Sequence, residues 1–168
     1  ANMLTTKSQY LQSIGRLDQS IQTAMEAERK DPQFPSSYKW LGLGHAFKGN
    51  YEAAFGSYKR GDKFYQGKYQ LNKAITFALM GDKKEARSIL NAEILQKDKK
   101  IVSSSNIANA YYYIGDYDKA LNYLQMAIEE KDSQLSFLYF SSEWEKLFDN
   151  KKFNAIRERL NLPPKAKQ

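Results

Sequence analysis

The sequence contains one histidine, His45, and no cysteine. Without cysteine there are no disulfides, thiolate metal ligands or cysteine nucleophiles. One histidine, expected on a face that packs between helices, leaves neither a nucleophilic triad nor a multi-histidine metal site in prospect. His45 reads as a hydrogen-bonded core residue. The carboxylate pairs Glu129–Glu130 and Asp116/Asp118 fall at expected helix ends. Capping and solvation explain them better there than general acid–base work. Gly42 and Gly44 form a Gly-Leu-Gly run inside an expected helix. A phosphate loop needs a preceding strand, so these glycines read as close helix contacts. Enzymatic chemistry and a bound cofactor or metal are therefore not expected. Basic side chains cluster at Lys83, Lys84 and Arg87, at a helix start, and at Lys97, Lys99 and Lys100, at a helix end. A solvated polar face is the favoured reading of both, and the helix-end group suits the negative end of a helix dipole.

These side chains must be positioned by helices. From Ser104 to Asp132, Ile107, Tyr111 and Ile114 recur at the spacing of one buried helical face. Gly115 stops that helix, and Asp116 can cap the next by accepting its free N–H groups. Tyr117, Ala120, Leu121, Leu124, Ala127 and Ile128 then form one stripe, with Ala120 and Ala127 small enough for close approach of a paired helix. The unit recurs. Gly15, Gly49, Gly81 and Gly115 are spaced 34, 32 and 34 residues apart. Five residues after each comes Ser20, Ala54, Ala86 or Ala120, and nine after each Ala24, Tyr58, Leu90 or Leu124.

Ile107, Ala108, Tyr111, Gly115, Tyr117, Ala120 and Ala127 resemble the tetratricopeptide repeat, a helix–turn–helix unit of about 34 residues. The expected fold is all-α: a right-handed superhelix of about four such repeats with a C-terminal helical cap. The repeats are expected at about 1–34, 35–66, 67–100 and 101–132, the cap at 133–163 and a frayed tail at 164–168, all one domain. In the first repeat Leu4, Leu11 and Ile14 mark one apolar face, and Leu17, Ile21, Ala24 and Ala27 the next. The Asp31-Pro32-Gln33-Phe34-Pro35 run ends it. The third repeat is the weakest match, with Lys83 where an aromatic usually follows the glycine. In the tail, Leu135, Phe137, Leu138 and Phe140 suggest a short helix, followed by Trp144, Leu147 and Phe148. Phe153, Ile156 and Leu160 suggest a closing helix ended by Pro163–Pro164.

The tail is also similar to the closing segment of tetratricopeptide regions in bacterial multidomain regulators. Leu147, Asp149 and Phe153 approximate its loop, and Leu160, Leu162 and Pro163 match its ending. Lys151–Lys152 stand where a proline is usual. Such regions follow cyclase, kinase or winged-helix domains, none of which is in these residues. The first residue, Ala1, likewise suggests a processed or excised piece.

The resemblance implies a non-catalytic protein- or peptide-binding module, a sensor or scaffold part of a larger bacterial signalling or transcription regulator. First helices of stacked repeats line a concave side. That places Lys39, Leu43 and Phe47, then Leu71, Asn72 and Ile75, then Asn106, Asn109, Tyr112 and Tyr113 in a ligand groove. Thr5, Gln9, Gln12, Leu79 and Ser105 belong to the same inner surface. Some tetratricopeptide domains clamp a peptide carboxylate with two lysines, two asparagines and an arginine. Lys39 and Asn72 fall at two of those places, while Leu43, Val102 and Asn106 fall at the others, which disfavours chaperone-tail binding. The competing class is a nucleic-acid-binding helical repeat using Lys59, Arg60, Lys83, Lys84 and Arg87, marked by a steep salt dependence.

Charge and hydropathy set outer limits. The net charge is +7, spread over several segments and broken by an acidic stretch at 101–134, which disfavours a nucleic-acid partner. A mean hydropathy of −0.70 and the lack of a long apolar run speak for a soluble chain without membrane contact. Self-association is left open. The lack of cysteine fits a reducing compartment; a cytoplasmic location is favoured, with a periplasmic one for a membrane-anchored parent.

Overall fold

The computed structural model describes residues 1–96, 102–135 and 142–162, all helix, turn or loop, with no strand among them. Eight helices run as four antiparallel hairpins. They are α1 (Asn2–Ser13) with α2 (Leu17–Lys30), α3 (Pro35–Phe47) with α4 (Tyr51–Asp62), α5 (Gln70–Leu79) with α6 (Lys83–Leu95), and α7 (Ser104–Ile114) with α8 (Tyr117–Glu129). A 3-10 segment (Ser142–Leu147) and α9 (Lys151–Arg159) close the described chain.

The four turns are built alike. Gly15, Gly49, Gly81 and Gly115 have φ of 75°, 79°, 91° and 88°, the left-handed region that penalises a Cβ. At each, the following N–H donates to the carbonyl five residues back: Arg16 to Leu11, Asn50 to His45, Asp82 to Phe77 and Asp116 to Tyr111, at 2.8–3.0 Å. This bond satisfies a carbonyl the ending helix leaves unpaired. Asp82 and Asp116 then cap α6 and α8 through their side chains.

The core follows the same phase. Ser20, Ala54, Ala86, Ala120 and Ala24, Tyr58, Leu90, Leu124 are all 0% exposed. Small residues at the first four positions let each second helix approach its partner. Gly42 serves the same purpose from the other side: a Cβ there would lie 2.1 Å from the Tyr58 ring. At Gly44 a Cβ would meet Ile21 at 2.9 Å. Both glycines are therefore close helix contacts. Between hairpins, α2 packs on α3 and α5 on α7, and the first helices α1, α3, α5 and α7 touch in series.

The tail covers the last hairpin. Trp144, fully buried, stacks on Tyr112 at 4.7 Å between ring centroids and on Phe153 at 5.6 Å. Phe153 and Ile156 are buried from α9. Two expectations need correction. Ile14 is 45% exposed, because it follows the end of α1 and is no longer held to its apolar row. α9 stops at Arg159, where Asn161 adopts a φ of 51° and Leu162 N–H returns to Arg157, so the following prolines do not end it. Phe137, Leu138 and Phe140, and with them the short helix expected there, lie outside the described residues.

Candidate functional site

One cavity of about 320 Å³ opens along the first helices. Its floor is apolar: Leu43 and Phe47 from α3, Leu71 and Ile75 from α5. Amides surround that floor: Asn72 from α5, Asn106 and Asn109 from α7, Gln9 from α1 and Gln134 after α8. Lys39 and Trp40 from α3 and Lys68 from the α4–α5 loop complete one side. Ser13, Pro35, Ser36 and Tyr69 supply the remaining wall. Every first helix contributes and α2, α4, α6 and α8 contribute nothing. The volume is at the lower end of the ~300–1,000 Å³ typical of small-molecule pockets.

Helical periodicity explains the assembly. Lys39, Leu43 and Phe47 are four residues apart on α3, and Leu71 and Ile75 likewise on α5, so each set shares one face. Leu43 and Ile75 are only 4% and 3% exposed: they belong to the core and form the cavity floor at once. Phe47 is half-buried and meets the Tyr113 ring at 5.6 Å. The groove expected from sequence thus has eight of its ten residues in the cavity wall, all but Tyr112 and Tyr113. Tyr113 is not in the wall but packs on Phe47, which is. Tyr112 does not line it, because its ring is buried beneath Trp144. Thr5, Gln12 and Ser105, expected on the inner surface, are buried in helix packing instead. Gln12 donates from Nε2 to the Trp40 carbonyl at 2.6 Å, which holds α1 against α3.

The charge on this wall is of one sign. No aspartate or glutamate lines it. The Lys39 amine lies 4.7 Å from the centroid of the Trp40 ring. Burial, with the like charge of Lys68, lowers its pKa to about 8. Asn109 Oδ1 is buried with no hydrogen-bond partner. Lys68, Trp40 and Tyr69 carry no sequence signal for the groove. Lys68 and Tyr69 sit in a loop between helices, where no period gives direction, and Trp40 flanks Lys39 rather than sharing its row.

His45 lies elsewhere on α3. It is half-buried, and its Nδ1 is buried without a hydrogen-bond partner, contrary to the satisfied core histidine expected. Burial and the charges of Arg60 and Lys48 lower its pKa, favouring the neutral ring. Among the described residues, no cluster of histidine, aspartate and glutamate could hold a metal ion. No helix among them is long and apolar enough to cross a membrane.

Of the basic residues considered for nucleic acid, Arg60 is engaged by Glu28 through two bonds of 2.9 and 3.0 Å. Lys59, Lys83, Lys84 and Arg87 are exposed on α4 and α6, away from the cavity. No protein-family model and no curated protein matches this chain.

Proposed function

We propose that this chain is a non-catalytic peptide- or protein-binding module, a tetratricopeptide superhelix whose site is the cavity along α3, α5 and α7. The observation that carries the reading is the makeup of that wall: an apolar floor ringed by amides, drawn from first helices rather than second ones. A peptide could bury an apolar side chain on Leu43, Leu71 and Ile75 while Asn72, Asn106 and Asn109 meet its backbone. The repeated turns and the eight fully buried positions in phase support the tetratricopeptide assignment. The tail sequence supports membership of a larger bacterial regulator, with this module as its sensor or scaffold.

Selection from a random peptide library displayed on phage would supply ligands directly. Amide chemical-shift mapping of the best peptide should give changes clustered on α3, α5 and α7. Changes confined to the outer faces of α4 and α6, with binding that collapses as salt rises, would replace this reading with the basic-surface one.

A further inference from the structure

Three positions recur twelve, eight and five residues before each turn glycine. In α3 they are Ser37, Leu41 and Gly44; in α5, counting its N-cap, they are Tyr69, Lys73 and Thr76. This face meets the second helix of the hairpin before. Leu41 joins Ile21 and Ala24 of α2 in one apolar cluster, and Gly44 lies against Ile21. Tyr69 stacks on Tyr58 of α4 at 6.0 Å, and the Thr76 hydroxyl bonds the Tyr58 hydroxyl at 3.3 Å. The Lys73 amine donates to Asp62 of α4 at 2.7 Å. In α1 the same three positions are Met3, Lys7 and Tyr10, and all are exposed.

The covering helices share a stripe. It is Ile21, Ala24 and Glu28 on α2 and Phe55, Tyr58 and Asp62 on α4: apolar, apolar and acidic at i, i+3 and i+7. Lys7 stands where Lys73 stands in its own hairpin, eight residues before the glycine. Among the described residues it makes no ion pair, since the acid that feels its charge, Glu26, is joined to Lys30 at 3.0 Å. A second copy of this chain offers no matching stripe. Ile21 and Tyr58 are engaged within their own copy, α8 is covered by the tail, and α1 against α1 would bring Lys7 to Lys7 with no acid between.

We propose that the Met3–Lys7–Tyr10 face of α1 docks an amphipathic helix of a partner protein, one carrying apolar residues at i and i+3 and an acid at i+7. The partner helix takes the place on α1 that α4 takes on α5. Its acid pairs with Lys7, and its apolar residues lie on Met3 and Tyr10, where methionine adapts to varied shapes. This surface is separate from the cavity, to which α1 gives Gln9 and Ser13.

The probe is a peptide of residues 51–64, acetylated and amidated, with Gly56→Ala and a side-chain bridge between the positions of Ala53 and Ser57, opposite the stripe. The bridge offsets the cost of ordering a short helix. Amide chemical-shift mapping on the 168-residue chain should place the peptide on α1, around Met3, Lys7 and Tyr10. Replacing Phe55 and Tyr58 of the peptide with serine should weaken binding ten-fold or more. Asp62→Asn in the peptide should weaken it three-fold or more. Lys7→Gln in the protein should cost the same factor with the parent peptide and nothing further with the Asn peptide, which isolates the pair from any general effect. Met3→Ser, on an exposed side chain, should also weaken binding while the melting temperature holds. Absence of binding, shifts confined to the cavity, or affinity unmoved by Lys7→Gln and Met3→Ser overturns the proposal. So does a dimer in light scattering that Met3→Ser dissolves, which would make a second copy the occupant.

Discussion

At the scale of single residues, Lys39 shows what the cavity costs the fold. Its ammonium is desolvated and faces a second lysine, so its pKa falls to about 8 from the ordinary 10.5. Between those values the unfolded chain binds more protons than the folded one, so raising pH through that window stabilises the fold. Below pH 8 the penalty is present in full. Lys39→Met removes it. The variant should therefore gain stability over the parent at pH 7, and the gain should shrink as pH rises toward 10. Tyr58 and Tyr69, whose phenols burial pushes above their usual range, act alike in both proteins and cancel in the comparison. Thermal melts of parent and variant at pH 7, 8, 9 and 10 give the measurement. A gap that stays constant across that range would mean Lys39 is solvated like any surface lysine.

At the scale of elements, the four hairpins depend on turns that only glycine makes without strain. Gly115 has φ of 88°, and the space around its missing Cβ is open except for the Lys83 amine at 3.4 Å. Gly115→Val should therefore cost through backbone strain rather than collision, about 1–3 kcal/mol. For a chain of this size that is roughly 2–4 °C in Tm for each kcal/mol. An unchanged melting temperature would rule out a left-handed turn there. The spacing of these glycines and the small residues five positions later is legible in the sequence because each requirement is local. A helix must end, and its successor must pass close by. The cavity is legible in part for the same reason, since Lys39, Leu43 and Phe47 share one row of α3. Lys68 is not, because a loop residue's direction depends on how two hairpins dock. Tyr112 is misplaced by periodicity because Trp144, 32 positions along the chain, decides whether its face is groove or core.

At the scale of the whole molecule, the two ends differ. The far end of the hairpin series is covered by the tail, with Trp144 fully buried between Tyr112 and Phe153. Among the described residues the first helix has no such cover, and Met3, Tyr10 and Ile14 are exposed at 87%, 48% and 45%. Removing residues 142–168 should bare Tyr112 and the apolar groups around it and drive association. Light scattering behind size-exclusion chromatography reads this directly. A truncated chain that stays monomeric and melts with the parent would show that the tail merely rests on the surface. Asp132 ties the same region from the other side. Its carboxylate accepts from the Ser103 hydroxyl at 2.6 Å and from the Ser105 N–H at 3.1 Å, fixing the start of α7 to the end of α8. Burial raises the Asp132 pKa, but these bonds outweigh it and hold the carboxyl below its usual range.

The cavity along α3, α5 and α7 is the centre of the functional reading, and one set of variants tests it most directly. Leu71→Ala and Asn72→Ala alter half-buried side chains in its wall. Lys83→Ala combined with Lys84→Ala removes exposed charge on α6. The ligand is the best peptide from display, and each protein is first shown to melt within a few degrees of the parent. Calorimetry should find each cavity variant weakened by about 1–3 kcal/mol, as expected for an anchor. The double-lysine variant should bind as the parent does at fixed salt. Normal binding by both cavity variants, with loss in the double-lysine variant, would contradict the cavity and place the function on the basic outer surface.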